Sequence, residues 1–206
     1  MNVSIGGFAV QPIGLSIGLG VLASFYFFRA RAVSEALSAQ AGAALHLAAT
    51  LGALLGARLP AAAEGRLFEP PSEWILSPSI GLLGAVVATD YLRMRMKLDH
   101  GTVLDLFAVA AAPLLIVLGI ALALAGLSIE LLPCLLPLGA LVFLAKPDRR
   151  PGLMGAVALA QLALGALLRH GFGGPSADVF GVSEPLALAA VASIAAAVAG
   201  AGVARR

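Results

Sequence analysis

The chain has 206 residues, of which 60% are hydrophobic and only 12% are charged. This balance is far more apolar than that of a soluble domain, so it excludes a soluble globular enzyme and favours a membrane protein. The formal charge of +2 does not indicate a nucleic-acid partner, because a basic bias in a membrane protein usually reflects basic residues on its cytoplasmic side.

The first apolar run follows a segment, residues 1–12, that contains no lysine or arginine. That segment lacks the basic start of a cleavable signal peptide, and we expect it to lie outside the cytoplasm. Arg29 and Arg31 end the run as a positive-inside signal. The second run carries Gly52 and Gly56 at the spacing typical of helix contacts.

The third apolar run organises the prediction, because it ends in the basic sequence RMRMK at residues 93–97. The basic end fixes orientation, while Ser79, Gly81 and Gly84 near the entry let another backbone or a lipid headgroup approach closely. Four further apolar runs follow. At about 20 residues per helix, the sequence predicts an all-α integral membrane protein, a single domain over residues 1–206, with seven spans: 8–28, 40–57, 75–92, 106–127, 131–145, 153–168 and 186–203.

The distribution of the basic residues predicts the orientation of this bundle. Three arginines, Arg58, Arg66 and Arg169, fall on one side, and the other ten of the 13 basic residues fall on the opposite side. The positive-inside rule therefore predicts an outer N-terminus and a cytoplasmic C-terminus. Cys134 is the only cysteine, which excludes an internal disulfide and a thiol metal cluster. No metal or other cofactor is predicted.

Five polar residues are candidates for a functional site, and each has a structural alternative. His46 lies inside the second span, either as a functional group or as a neutral histidine bonded to another helix. Asp105 opens the fourth span, where a carboxylate favours capping or pairing. Gln161 lies in mid-span and more often joins helices than contacts a substrate. Arg58 and Arg169 share the outer boundary, where they either hold a lipid phosphate or extend to the interface.

Several segments, in order, resemble the prolipoprotein diacylglyceryl transferase family of bacteria. VSIGGFAVQPIGLSIGLG is similar to the family's first span, with its pattern SIGPVALHWYGL. LGARL, which contains Arg58, resembles the GGR[IL]G motif, and LSPSIGLLG resembles SFHGGLIG. LDLFAVAAAP resembles the DFIAP helix, with Asp105 as its aspartate, and residues 146–169 resemble the segment that joins the last two spans. The resemblance implies the fold of these lipid-modifying enzymes.

The sequence departs from the family where the family's catalytic motifs lie. Ser79 replaces the histidine of the HGG motif, and Gln11 and Ile13 replace the histidine and tyrosine of HWYG. Residues 106–145 contain no arginine or asparagine, so the GRxGNFxNGE signature is missing. The outer head segment is reduced to a few residues. Arg169 lies one position from the family's YGxxRxxxE arginine, and the glutamate of that pattern is absent.

The transfer of a diacylglyceryl group from phosphatidylglycerol to a cysteine thiol needs a base and a cation. We therefore expect a non-catalytic relative, located in the bacterial inner membrane, that binds a phosphatidylglycerol-like phospholipid, serves as a subunit of a membrane complex, or does both. Arg58, Ser79, Gly81, Gly84 and Arg169 are the expected lipid contacts. The alternative is an active, divergent transferase with a rearranged site of His46, Arg58, Asp105 and Arg169.

Overall fold

A computed structural model of the chain describes residues 3–5, 8–10, 12–66, 76–144, 150–173 and 178–204. Within these ranges the protein is a helical bundle with two short antiparallel hairpins. The hairpins are β1 (Val3–Ile5) with β2 (Phe8–Val10) and β3 (Asp178–Val179) with β4 (Val182–Ser183). The helices are α1 (Pro12–Ser34), α2 (Ala39–Ala63), α3 (Pro78–Arg95), α4 (His100–Leu124), α5 (Leu132–Leu144), α6 (Leu153–Phe172) and α7 (Glu184–Ala204).

The all-helical prediction is confirmed, and five of the helices are long and apolar enough to span a membrane: α1, α2, α4, α6 and α7. The other two helices are less suited to spanning a membrane, because α3 carries charged residues and α5 is short. The last two turns of α3 carry Asp90, Arg93 and Arg95. The 13 residues of α5 make it only about 20 Å long.

Most helices are longer than the predicted spans, because a span prediction stops at charged or polar residues whereas a helix does not. At its C-terminal end α2 continues past Arg58 to Ala63, with Pro60 inside it. At its N-terminal end α4 begins at His100, capped by the Asp99 side chain. Asp105, which was expected to open the fourth span, lies in the second turn of α4. Trp74 precedes the third apolar run, where a tryptophan is expected to be an interfacial anchor; it lies outside the described residues.

The main core joins α1, α2 and α4. Phe28 and Leu45 are fully buried, and Leu106 is almost so. Phe28 also stacks at a tilt on Phe107, with ring centroids 4.5 Å apart. Other close pairs are α2 with α3, α6 with α7, and α5 with α6.

The α2–α3 pair packs through glycine. A Cβ atom at Gly84 would overlap the carbonyl oxygen of Gly52, and one at Gly56 would overlap the carbonyl oxygen of Ile80. The two backbones therefore touch directly, as they do in small-residue contacts between membrane helices. The helix-contact role predicted for Gly52 and Gly56 agrees with this packing.

The contacts sort the helix termini into two groups. The beginnings of α4 and α6 meet the end of α7, because Gly101 lies against Pro151 and Gly152 lies against Val203; we call this the Gly152 end. The beginning of α3 meets the beginning of α7, because the Ser79 amide binds Glu184; we call this the Glu184 end.

Candidate functional site

The densest group of described polar contacts at the Glu184 end surrounds the carboxylate of Glu184. The Ser79 amide donates to its Oε1 atom over 2.6 Å. The hydroxyls of Ser77 and Ser79 both donate to Oε2, over 3.0 and 3.1 Å. Glu184 thus places a negative charge on the first turn of α3, where the helix dipole and the amide groups favour an anion.

Local sequence explains this arrangement. Ser77 caps α3, its hydroxyl accepting from the Ile80 amide, and Pro78 occupies the first turn, where its missing N–H is tolerated. Glu184 stands in the first turn of α7, also followed by a proline. Sequence reasoning missed Glu184, although an acidic residue before a proline at the start of an apolar run signals a helix start.

Arg58 lies beside this cluster. The residue is only 7% exposed. Its Nη2 atom donates to the Arg66 carbonyl oxygen over 2.8 Å. The preceding residue, Ala57, accepts a hydrogen bond from the Ser77 amide over 3.0 Å. Arg58 is therefore held at the Glu184 end by the contact between α2 and the beginning of α3.

Arg169 reaches the same end on α6. It lies in the last turn, and its guanidinium packs over Gly173. The next residue, His170, meets the hydroxyl of Ser183 at 3.0 Å through Nδ1, and Ser183 directly precedes Glu184. The fold therefore gathers Arg58, Ser79 and Arg169 at one end of the bundle.

The remaining predicted lipid contacts face a helix. A Cβ atom at Gly81 would meet the Ala53 carbonyl oxygen at 3.2 Å, and Gly84 touches the Gly52 carbonyl group. Ser79 is fully buried and bound to Glu184. These contacts agree with the close approach of another backbone that the sequence allowed for these residues.

His46 lies away from this end, between α2 and α1. Its Nε2 atom is 3.1 Å from the Ser24 hydroxyl, and its Nδ1 atom is 3.4 Å from the Thr50 hydroxyl. Thr50 donates its hydroxyl proton to the His46 carbonyl oxygen over 2.9 Å, and the rings of Phe25 and Phe28 lie edge-on to the imidazole. His46 is therefore engaged in contacts between α1 and α2.

Asp105 lies at the Gly152 end and caps a helix other than its own. Its Oδ2 and Oδ1 atoms accept from the amides of Gly152 and Gly155, over 2.9 and 2.8 Å. These amides belong to the start of α6, whose cap residue, Gly152, has no side chain to do this. The carboxylate thus joins α4 to the positive end of the α6 dipole.

Two further groups of polar residues lie away from the Glu184 end, one on α6 and one at the turn between α3 and α4. Gln161 lies in the middle of α6 and is partly buried. Sequence reasoning missed an ion-pair cluster at the turn between α3 and α4, where Asp90 binds the Arg93 Nε atom at 2.7 Å and the His100 Nδ1 atom at 3.3 Å. Arg93 also donates to the Leu98 carbonyl oxygen over 3.1 Å, so this cluster fixes the turn.

The four residues of the rearranged transferase site are not brought together. His46 and Arg58 are 12 positions apart on one helix, which corresponds to about 18 Å. Asp105 binds Gly155 at the start of α6, and Arg169 lies 14 positions later, about 21 Å away along the axis. In the part of the chain that the structure describes, no group of three histidine, cysteine or acidic side chains is placed to hold a metal ion.

A comparison with models of known protein families gives no match, and no curated protein gives a significant match to the chain.

Proposed function

We propose that this chain is a non-catalytic membrane protein with a bundle of the diacylglyceryl-transferase type, and that it holds an anionic phospholipid headgroup at Arg58 and Arg169. The observation that carries the proposal is the separation of its polar groups. Arg58 and Arg169 both lie at the Glu184 end, while His46 and Asp105 are engaged in helix contacts elsewhere. Guanidinium groups bind phosphate bidentately, which suits a phospholipid headgroup at a membrane boundary.

The orientation belongs to the same proposal. Arg93 and Arg95 lie in the last turn of α3, and Lys97 follows that helix, at the end that lies away from Glu184. Basic residues are enriched on the cytoplasmic side of membrane proteins. We therefore place the Gly152 end in the cytoplasm and the Glu184 end at the outer surface of a bacterial inner membrane, where a phosphatidylglycerol-like lipid of the outer leaflet reaches the arginines.

A subunit of a membrane complex could dock to its partner through a helix face of small residues that stays free within its own bundle. Gly52 and Gly56 instead contact Gly84 and Ile80 of the same chain. Partner binding is therefore an outcome for experiment to decide rather than the preferred function.

The test is native mass spectrometry of the protein extracted gently from its own membrane. We expect a stoichiometric phospholipid on the wild type, a clear loss on Arg58→Gln, and a smaller loss on Arg58→Lys, which keeps the charge but not the planar fork. Arg95→Gln is the matched control, since Arg95 is exposed and is the last residue of α3, at the opposite end of that helix. Helix content and thermal stability show whether each variant is folded.

Three results would change the proposal. Equal lipid on folded Arg58→Gln and wild type would remove the headgroup site. A stoichiometric protein partner without bound lipid would favour the subunit function. Transfer of a diacylglyceryl group from phosphatidylglycerol to a lipobox peptide by the purified protein would make the chain an active transferase.

A further inference from the structure

The β3–β4 hairpin between α6 and α7 has an unusual tip. Val179 pairs with Val182, so the loop consists of Phe180 and Gly181 alone. Both have positive φ, 50° and 81°, which is the pattern of a type I′ turn. Such a turn favours asparagine, aspartate or glycine at its first central position, and a bulky side chain there is a conformational outlier.

The Phe180 side chain makes few contacts with the rest of the protein that could offset the energetic cost of this backbone conformation. The residue is 72% exposed, whereas the adjacent Val179 is buried. Among the described residues other than glycine, Ala36 and Lys97 also have positive φ, but each follows the end of a helix, where a left-handed residue is common. Phe180 therefore combines two features that are unfavourable in water: a strained backbone and an exposed aromatic ring.

The surroundings of the tip continue this apolar character. Phe172, the last residue of α6, is 77% exposed, and Val182 and Leu186 are exposed too. Ser183 meets His170 of α6, so the hairpin is fixed to the last turn of that helix. The helices on either side, α6 and α7, are both long and apolar enough to span a membrane. The exposed aromatic rings thus continue the lipid-facing surface of these two helices to their ends.

We propose that Phe180 and Phe172 form an aromatic anchor that inserts into the interfacial region of the lipid bilayer at the Glu184 end. Phenylalanine, like tryptophan and leucine, is a residue that interfacial segments bury at the boundary between the lipid headgroups and the acyl chains. Burial of the ring in lipid offsets the cost of the left-handed backbone at Phe180, and it fixes the depth of α6 and α7. The inference rests on the membrane location proposed above and is independent of the headgroup site at Arg58.

The test uses tryptophan fluorescence in vesicles of phosphatidylcholine and phosphatidylglycerol. The sole tryptophan of the chain is removed by Trp74→Phe, and Phe180→Trp supplies the reporter without loss of the aromatic ring. We expect blue-shifted emission that is quenched strongly by lipids brominated near the headgroup, less by lipids brominated near the chain end, and little by aqueous iodide. Phe172→Trp is a second, independent reporter at the end of α6 and should behave in the same way.

Two control positions provide reference signals, one for a reporter in lipid and one for a reporter in water. Ile194→Trp places the reporter on an exposed position in the middle of α7, and Glu64→Trp places it on a charged, exposed residue that follows α2. The first should be quenched by deeply brominated lipids and the second by iodide. Failure of Ile194→Trp to respond to any brominated lipid would overturn the membrane location and, with it, the anchor.

If Ile194→Trp is quenched by brominated lipid, the two aromatic-site reporters test the anchor alone. Quenching of both aromatic-site reporters by iodide, without quenching by lipid, would place the hairpin in water. Protection from both quenchers would mean that protein covers the tip. Either result would overturn the anchor and leave the lipid-binding function of the bundle standing.

Discussion

The two faces of α2 are built on different principles. Toward α3 it presents Gly52 and Gly56, and the two backbones touch. Toward α1 and α4 it presents Leu45, which lies in a cluster with Phe28 and Leu106. Because lipid tails are as apolar as the side chains, neither face gains much from the hydrophobic effect, and both depend on close van der Waals packing. One face is fixed by the shape of the backbone and the other by the volume of side chains.

The largest expected effect comes from Gly84→Val. A Cβ at this position already overlaps the Gly52 carbonyl group, and a backbone cannot rotate away as a side chain can. We expect a loss of roughly 3 kcal/mol in the free energy of unfolding, at the upper end for overpacked sites. Unfolding in mixed detergent micelles measures it.

Gly18→Val is the matched control for this prediction. Gly18 also lies inside a helix, but a Cβ there would meet nothing within 4 Å. The control should remain close to wild-type stability. Similar losses for both variants would mean that valine acts through helix propensity and that the α2–α3 contact is not as tight as described.

A smaller effect is expected from Phe28→Ala on the other face. The ring is fully buried against α2 and α4. Soluble proteins lose ~3–5 kcal/mol for this change, but part of that value is transfer from water, so we expect about 2 kcal/mol for a helix that remains in lipid or detergent. The neighbouring Phe27→Ala, at an exposed position, serves as control in the same assay; an equal loss there would contradict a side-chain core at Phe28.

The smallest effect concerns the hydrogen bond that joins α1 to α2. Ser24→Ala removes the partner of the His46 Nε2 atom. Hydrogen bonds between membrane helices contribute about 0.6 kcal/mol on average, and we expect a loss of that size. Ser193→Ala, on an exposed position of α7, should cost nothing. A loss above the Phe28→Ala value would show that the polar contact, rather than the large side chains, dominates this face.

Much of the helical fold was predictable, because apolar runs and the basic residues that end them are strong one-dimensional signals. Helix boundaries were less predictable. Ala63 and His100 lie inside helices beyond the predicted spans, since helices continue through charged residues at their ends. The hairpin at Phe180 was missed because two-residue strands carry almost no periodic pattern.

The partners of the polar residues were even harder to predict from the sequence than the helix boundaries. The sequence indicated that Asp105 caps a helix, yet it caps α6, 47 residues away from it in the chain at Gly152. Glu184 was not considered at all, since its partners Ser77 and Ser79 lie on a helix more than 100 positions earlier. Residue type and local position predict what a polar group needs, whereas the partner follows from how the helices pack.

The bond between Glu184 and Ser79 also bears on the order of biosynthesis. The two residues are 105 positions apart, so α3 emerges from the ribosome long before its carboxylate partner exists. During translation the first turn of α3 must rely on the Ser77 cap and water. Once α7 is present, Glu184 binds the Ser79 amide and the hydroxyl groups of Ser77 and Ser79. The contact between the beginnings of α3 and α7 can therefore form only after α7 has been synthesised, so this end of the bundle is completed late.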